Sequence, residues 1–241
     1  MSGPVIAYCG PAAVPDDLWL RWNFDPLLIA AFGAMSLVAG LGRSPAPRAC
    51  WVAIALMFVI FISPFCALSS ALFSARVLHH VLLVAAVAPL LAVAIPLRRA
   101  ASLPLAALAV VHAVVLWLWH APGIYVWGLA TISAYWLMQG SLLGSAWLMW
   151  QAILTPTARP GPALVALAAT IGQMGLLGAL IVFASRPLYA VHFASTQPWG
   201  LSPLADQQLA GLFMWVPAIV PYLGVGVWLA WSSLRHLEPV R

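Results

Sequence analysis

The sequence has no lysine: all ten of its basic residues are arginine, and they face only four aspartates and one glutamate. Charged residues make up 6% of the 241, against roughly a quarter in an average soluble domain. That scarcity excludes a water-soluble fold. The absence of lysine excludes a retinal-type Schiff base, which needs an amine nucleophile. No basic stripe interleaved with aromatics is present, so no nucleic acid partner is expected. Cysteine is scarce and odd in number (Cys9, Cys50, Cys66), with no CxxC spacing. A zinc or redox motif is therefore excluded, and no structural disulfide is expected. The first 25 residues lack a basic start followed by an apolar core, so they read as an exposed tail rather than a cleaved signal.

What is abundant is apolar sequence: 64% hydrophobic residues and a mean hydropathy of +1.02. A membrane span needs about 20 apolar residues. Apolar stretches between arginine, proline, glycine and serine punctuation predict spans at 26–42, 50–71, 77–97, 104–120, 127–152, 162–184 and 208–233. The expected fold is thus all-α, a polytopic bundle of seven transmembrane helices in a single domain over 1–241, bounded by lipid. The fourth span stops at His120 because a proline two residues on disfavours helix at the residue before it.

Arginine placement predicts the orientation. Arg43, Arg48, Arg98, Arg99, Arg159, Arg235 and Arg241 fall on one side, and Arg21, Arg76 and Arg186 on the other. By the positive-inside rule, the N-terminus is outside and the C-terminus cytoplasmic. Most remaining polar residues then gather outside: Asp16, Asp17, Asp25, His79, His80, His120, His192, Asp206, Gln207 and Gln208. His236 and Glu238 fall on the cytoplasmic side, with His112 in mid-span. Ionisable groups near hydrocarbon are costly and mark function, so the expected site is on the outer side.

His80 opens the third span and His120 closes the antiparallel fourth, at similar depth, with Asp206 and Gln207 at the start of the seventh. Two imidazoles and a carboxylate suit copper or zinc, and the thioethers of Met174 and Met214 suit Cu(I). Each has a structural alternative. Asp206 can cap its own helix, His80 and His120 can hydrogen-bond each other, and His112 can bridge two helices. His79 is expected to face headgroups or a loop, Met174 and Met214 to fill space, and Trp199 to sit in an interfacial belt. Arg76 is an interfacial anchor, a partner for Asp206, or a partner for a bound anionic group. The glycines Gly172, Gly175 and Gly178 are expected to allow close helix approach, and Pro64, Pro89, Pro217 and Pro221 to bend their helices.

Several strings resemble the cytochrome c oxidase assembly factor family CtaG: Trp22-Asn23-Phe24-Asp25-Pro26, Phe73-Ser74-Ala75, His80-Val81-Leu82-Leu83, Trp119-His120-Ala121-Pro122 with Tyr125, and Pro187-Leu188-Tyr189. Asp206-Gln207-Gln208-Leu209-Ala210-Gly211, with Met214-Trp215-Val216-Pro217, is the most specific of them. The resemblance implies a bacterial inner-membrane accessory protein, not an enzyme, that serves haem-copper oxidase subunits and handles copper. Its site residues would be His80, His120, Asp206 and Met214, with His79, His192 and Gln207 in support. Two segments depart from the family pattern. His-Met-x-Gln-His becomes Arg76-Val77-Leu78-His79-His80, and His-x-x-Glu-His becomes Trp136-Leu137-Met138-Gln139-Gly140. A scaffold for an oxidase subunit and a haem-b carrier using His80 and His120 are the alternatives.

Overall fold

The computed structural model describes residues 8–42, 44–97, 103–155 and 158–235. Arg43, Arg98, Arg99, Arg241, His236 and Glu238, used above for orientation, lie outside them. The described residues are helical and contain no strand.

Proline and small polar residues punctuate the chain. Helix α1 (Pro26–Gly40) starts on Asp25, whose carboxylate accepts from the Leu27 and Leu28 amides. Helices α2 (Pro47–Phe61) and α3 (Phe65–Ala71) meet at a 46° bend beside Pro64. Next, α4 (Phe73–Leu82) continues through one π-helical turn (Leu83–Val87) into α5 (Ala88–Ala94), an unbroken 22-residue apolar rod. Pro89 has no N–H to return to the Ala85 carbonyl, and the widened turn lies where that bond is lost.

Helices α6 (Leu105–His120) and α7 (Pro122–Ala130) are set 80° apart at Ala121. Thr131 then caps α8 (Ile132–Leu154) through the Ala134 amide, and α9 (Pro160–Val182) follows. Ser202 caps α10 (Pro203–Trp215) through the Ala205 amide, and the chain ends on α11 (Ile219–Arg235). Asp206 therefore does not cap its own helix.

Three helical rods are long and apolar enough to cross a membrane, Phe73–Ala94, Pro160–Val182 and Pro203–Arg235, and five if each bent pair counts as one span. Seven were expected from hydropathy. Of the remaining two segments, α1 has only 15 residues, and α8 is interrupted by Gln139, Ser141, Ser145 and Gln151. Large apolar side chains, among them Leu27, Val165, Val220 and Trp228, point outward, as lipid contact requires.

Helix α10 packs against both α9 and α4. Its approach to α9 depends on two glycines, because a Cβ on Gly211 would lie 2.7 Å from the Gly178 carbonyl oxygen and 2.5 Å from a Val182 methyl. Of the three glycines expected at a close crossing, Gly178 is the one that makes it. Gly172 has nothing within 4 Å of an added Cβ, and Gly175 makes only ordinary contact with Trp215.

Residues 8–25, before α1, are tied down rather than free. Cys9 is disulfide-bonded to Cys66 of α3, Tyr8 stacks on Tyr135 with ring centroids 4.8 Å apart, and its hydroxyl donates to Asp25 at 2.6 Å. Trp199 donates to the Ala13 carbonyl at 3.0 Å, so it holds this segment down and is not merely a belt residue. The no-disulfide expectation is thereby corrected, while residues 8–25 are largely exposed as expected but anchored. The pairing was missed because the 57-residue separation of the two cysteines gives no local sign of it.

Candidate functional site

The N-terminal parts of α4 and α8, the C-terminus of α6, the start of α10 and the connection between α9 and α10 converge at one end of the bundle. The polar residues they carry are almost fully buried: Arg76, His79, His80, His120, Gln139, His192, Asp206 and Gln207 are each at most 4% exposed.

Two of these set the frame. Asp206 reaches across from α10 to close the N-terminus of α4, accepting from the Phe73 amide at 2.7 Å, the Ser74 amide at 3.1 Å and the Ser74 hydroxyl. A carboxylate there satisfies helix-end donors and opposes the positive end of the helix dipole. Gln207 does the same for the α9–α10 connection, accepting from the Leu188 amide at 2.6 Å and donating to the Ile181 carbonyl at 3.2 Å.

Within that frame, His80 of α4 and His120 of α6 stand edge to face, with ring centroids 5.9 Å apart. His80 lies seven residues into its helix, about 10 Å from the end. His120 Nδ1 donates to the Leu116 carbonyl at 2.7 Å, which leaves Nε2 with a lone pair and no partner. His80 Nε2 lies 3.4 Å from the Gln139 side-chain amide, and its Nδ1 has no partner. Gln139 therefore selects the tautomer. With its NH2 toward His80, Nε2 accepts and Nδ1 carries the proton. With the amide reversed, the unpartnered Gln139 Oε1 accepts Nε2–H and the Nδ1 lone pair is freed.

His79 was expected at a headgroup or in a loop. Instead it is wholly buried, edge-on to Phe61 at 5.0 Å and stacked with Phe65 at 6.3 Å. His192 bridges the Ala71 carbonyl through Nδ1 at 3.2 Å and the Tyr125 hydroxyl through Nε2 at 2.8 Å. Burial, with the Arg76 charge nearby, pulls its imidazole down to about 4 against an ordinary 6.5, and the backbone acceptor opposes this only in part. It is a neutral structural link. His112 bonds Ser145 of α8 at 3.0 Å, the interhelical role expected for it. Met214 and Met174 lie in the apolar core.

The arrangement thus brings His79, His80 and His120 together and commits Asp206, Gln207 and His192 to backbone and hydroxyl partners. Among the described residues, no group of three or more His, Cys, Asp or Glu is placed to hold a metal ion. The ring nitrogens of the His80 and His120 pair without a partner are His80 Nδ1 and His120 Nε2, and two imidazole nitrogens are donors of the kind that soft monovalent copper accepts.

Sequence reasoning gave no site role to Gln139, Tyr125 or Tyr135, and it left Arg76 open between an interfacial anchor, a partner for Asp206 and a partner for a bound anionic group. Arg76 is in fact fully buried in the first turn of α4, beneath Tyr135. The signal for Gln139 was present as a lone amide inside an apolar run, at the position where the family pattern carries glutamate.

These features define a helical, membrane-type bundle with a histidine-centred polar cluster buried at one end. Residues 98–236, more than half of the chain, match the family model described as cytochrome c oxidase caa3 assembly factor (Caa3_CtaG), and the chain belongs to that family. The matched stretch contains His120, Gln139, Asp206, Gln207 and Met214, and begins after Arg76, His79 and His80. No curated protein and no solved structure matches the chain.

Proposed function

We propose that the protein assists assembly of haem-copper cytochrome c oxidase from the bacterial inner membrane by holding and passing on monovalent copper between His80 and His120. In this reading its seven apolar segments span the bilayer with the N-terminus outside, so that the buried cluster lies toward the face where oxidase copper is inserted. The observation that carries it is the pairing of His80 and His120 at 5.9 Å, each with an unpartnered ring nitrogen. Neutral imidazole is the form that ligates a metal. Gln139 orients His80. The step is ligand exchange, with no bond made or broken in a substrate. Copper is the cargo, and oxidase subunits are the partners.

Detergent-purified wild-type protein loaded with Cu(I) should retain about one copper per chain, and His80→Ala with His120→Ala should retain none. Equal copper in both proteins rejects the copper reading. Deletion of the protein should lower the copper content and activity of the oxidase in the membranes.

One observation favours a second reading, a metal-free scaffold for an oxidase subunit. The fixed charge of Arg76 lies within electrostatic range of His79 and His80 and opposes any cation there. Co-purification of an oxidase subunit that survives loss of both histidines, together with absence of copper, selects this reading.

A further inference from the structure

Residues 18–24 carry a run of exposed large apolar side chains that the histidine cluster does not use. Trp19, Leu20, Trp22 and Phe24 are 76%, 83%, 41% and 68% exposed, and the short helical turn Leu18–Leu20 buries none of its residues. The stretch is nevertheless held in one shape. Trp22 Nε1 donates to the Trp19 carbonyl at 3.0 Å, and the Trp22 ring stacks on Phe24 with centroids 6.4 Å apart. The Asn23 amide and side chain donate to the carbonyls of Ile62 and Phe61 at 2.9 and 3.1 Å. The one polar atom of the Trp22 side chain is thereby used internally. Four large apolar side chains are fixed outside the core, where contact with water forgoes the transfer free energy that burial returns.

Two neighbouring features point to what covers them. The patch is continuous with the outward apolar faces of the first two helices: Trp22 and Phe24 line, with Phe32, Phe58 and Trp51, an open apolar groove between α1 and α2. Leu27 and Ile29 carry the exposed surface on along α1. The second feature is length. The 15 residues of α1 rise about 22 Å, against a hydrocarbon core of about 30 Å. The aromatic stretch lies directly before Pro26, at an end where apolar surface is missing. Charge gives no attraction to an anionic surface: between residues 16 and 25, Asp16, Asp17 and Asp25 face Arg21 alone, and Arg21 is paired with Asp17.

We infer that residues 18–24 are a membrane-surface anchor: Trp19, Leu20, Trp22 and Phe24 seat in the interfacial layer of the lipid bilayer and extend the apolar edge of α1. Indole and phenyl rings at the end of a span suit that layer, where apolar chains meet polar headgroups. The partner is the lipid itself, bound through apolar and aromatic surface and not through headgroup charge. The anchor rests on the proposed reading of α1 as a membrane span, and on neither copper nor orientation. With the Cys9–Cys66 bond, it pins residues 8–25 between the bundle and the bilayer.

The test is spin labelling of the protein in lipid nanodiscs, with Cys50→Ala removing the free thiol. Single labels are placed at Leu20→Cys and Phe24→Cys, whose exposed side chains can be exchanged without disturbing the core. Ala31→Cys, exposed in mid-α1, is the span control, and Asp16→Cys is the water control. Collision with oxygen, which concentrates in lipid, is compared with collision with a water-soluble nickel chelate. The Leu20 and Phe24 labels should fall between the two controls, equally in phosphatidylcholine and phosphatidylglycerol discs and at low and high salt. If they are as open to nickel as the Asp16 label while the Ala31 label is in lipid, the anchor is overturned and the span stands. An Ala31 label open to nickel removes the span reading, and the anchor with it. Labels closed to both reagents would mean that a protein surface covers the patch, and an interfacial position seen only in phosphatidylglycerol that headgroup charge holds it. Either result overturns the inference.

Discussion

Asp206 on α10 caps a helix that begins 133 residues earlier: its Oδ2 accepts from the Phe73 amide of α4 at 2.7 Å. Its Oδ1 takes the Ser74 amide and hydroxyl. One carboxylate therefore fixes both the start of the helix that carries Arg76, His79 and His80 and the angle at which α10 meets it.

Asp206→Ala should strand two buried backbone donors and a hydroxyl, and so lower stability by about 3 kcal/mol. Asp206→Asn, which keeps one acceptor oxygen, should lose less. Thermal unfolding in detergent measures both. If Asp206 served only as a metal ligand, the two variants would unfold at the wild-type temperature in metal-free buffer.

The Cys9–Cys66 bond closes a long loop and holds Tyr8 against Tyr135 and Trp136. Reduction, or Cys9→Ser, should lower stability by about 2–4 kcal/mol. It should also expose residues 8–22 to protease. Unfolding with and without a reductant, and cleavage rates in that segment, give the two readings. An unchanged unfolding temperature on reduction would mean that the aromatic contacts alone hold the segment.

Much of this site was legible in the sequence, and the part that was not has a physical cause. His80, His120 and Asp206 could be assigned to one end of the bundle because an alternating chain of apolar helices puts every second connection on the same side. What Asp206 does there could not be read. Ser202 and Asp206 are both good cap residues, and only the packing of α10 across α4 determines that Ser202 caps the local helix while Asp206 caps a remote one. Arg76 was counted with the connections for a related reason: an arginine three residues before a histidine pair looks like a connection until the helix is seen to begin at Phe73. The sharp turn at Ala121 was foreshadowed by Pro122, but not its 80° size, which sets the direction of α7 and brings Tyr125 to His192.

His192 gives the protein a defined acid sensitivity. Its folded imidazole titrates at about 4, below the ordinary 6.5, so between those values the unfolded chain binds the extra proton. Its contribution is complete above pH 6.5 and is lost as the pH falls toward 4, by up to about 3 kcal/mol. Protonation removes the Nε2 lone pair that accepts from Tyr125. Asp25, held below its ordinary range by the Tyr8 hydroxyl, contributes stability that is lost only as the pH falls below the usual carboxylate range. Unfolding temperature against pH should therefore show a decline beginning near 6.5 that is reduced in His192→Gln. A wild-type profile flat from 6.5 to 4.5 would contradict the assignment.

The crossing of α9 and α10 offers a clean contrast between two glycines, Gly211 on α10 and Gly172 on α9. At Gly211 an added methyl would meet the Gly178 carbonyl at 2.7 Å, backbone that can yield only if the helices separate. Gly211→Ala should lower stability by about 1–3 kcal/mol, the usual cost of overpacking. Because α10 also carries Asp206 and Gln207, the same shift should loosen the cap on α4 and the tie to Leu188. Gly172→Ala meets nothing within 4 Å and replaces a poor helix former with a good one, so it should be neutral or stabilising by up to about 1 kcal/mol. Thermal unfolding of the two variants side by side checks the crossing, and Gly211→Ala unfolding at or above the temperature of Gly172→Ala would show that α9 and α10 do not meet backbone to backbone.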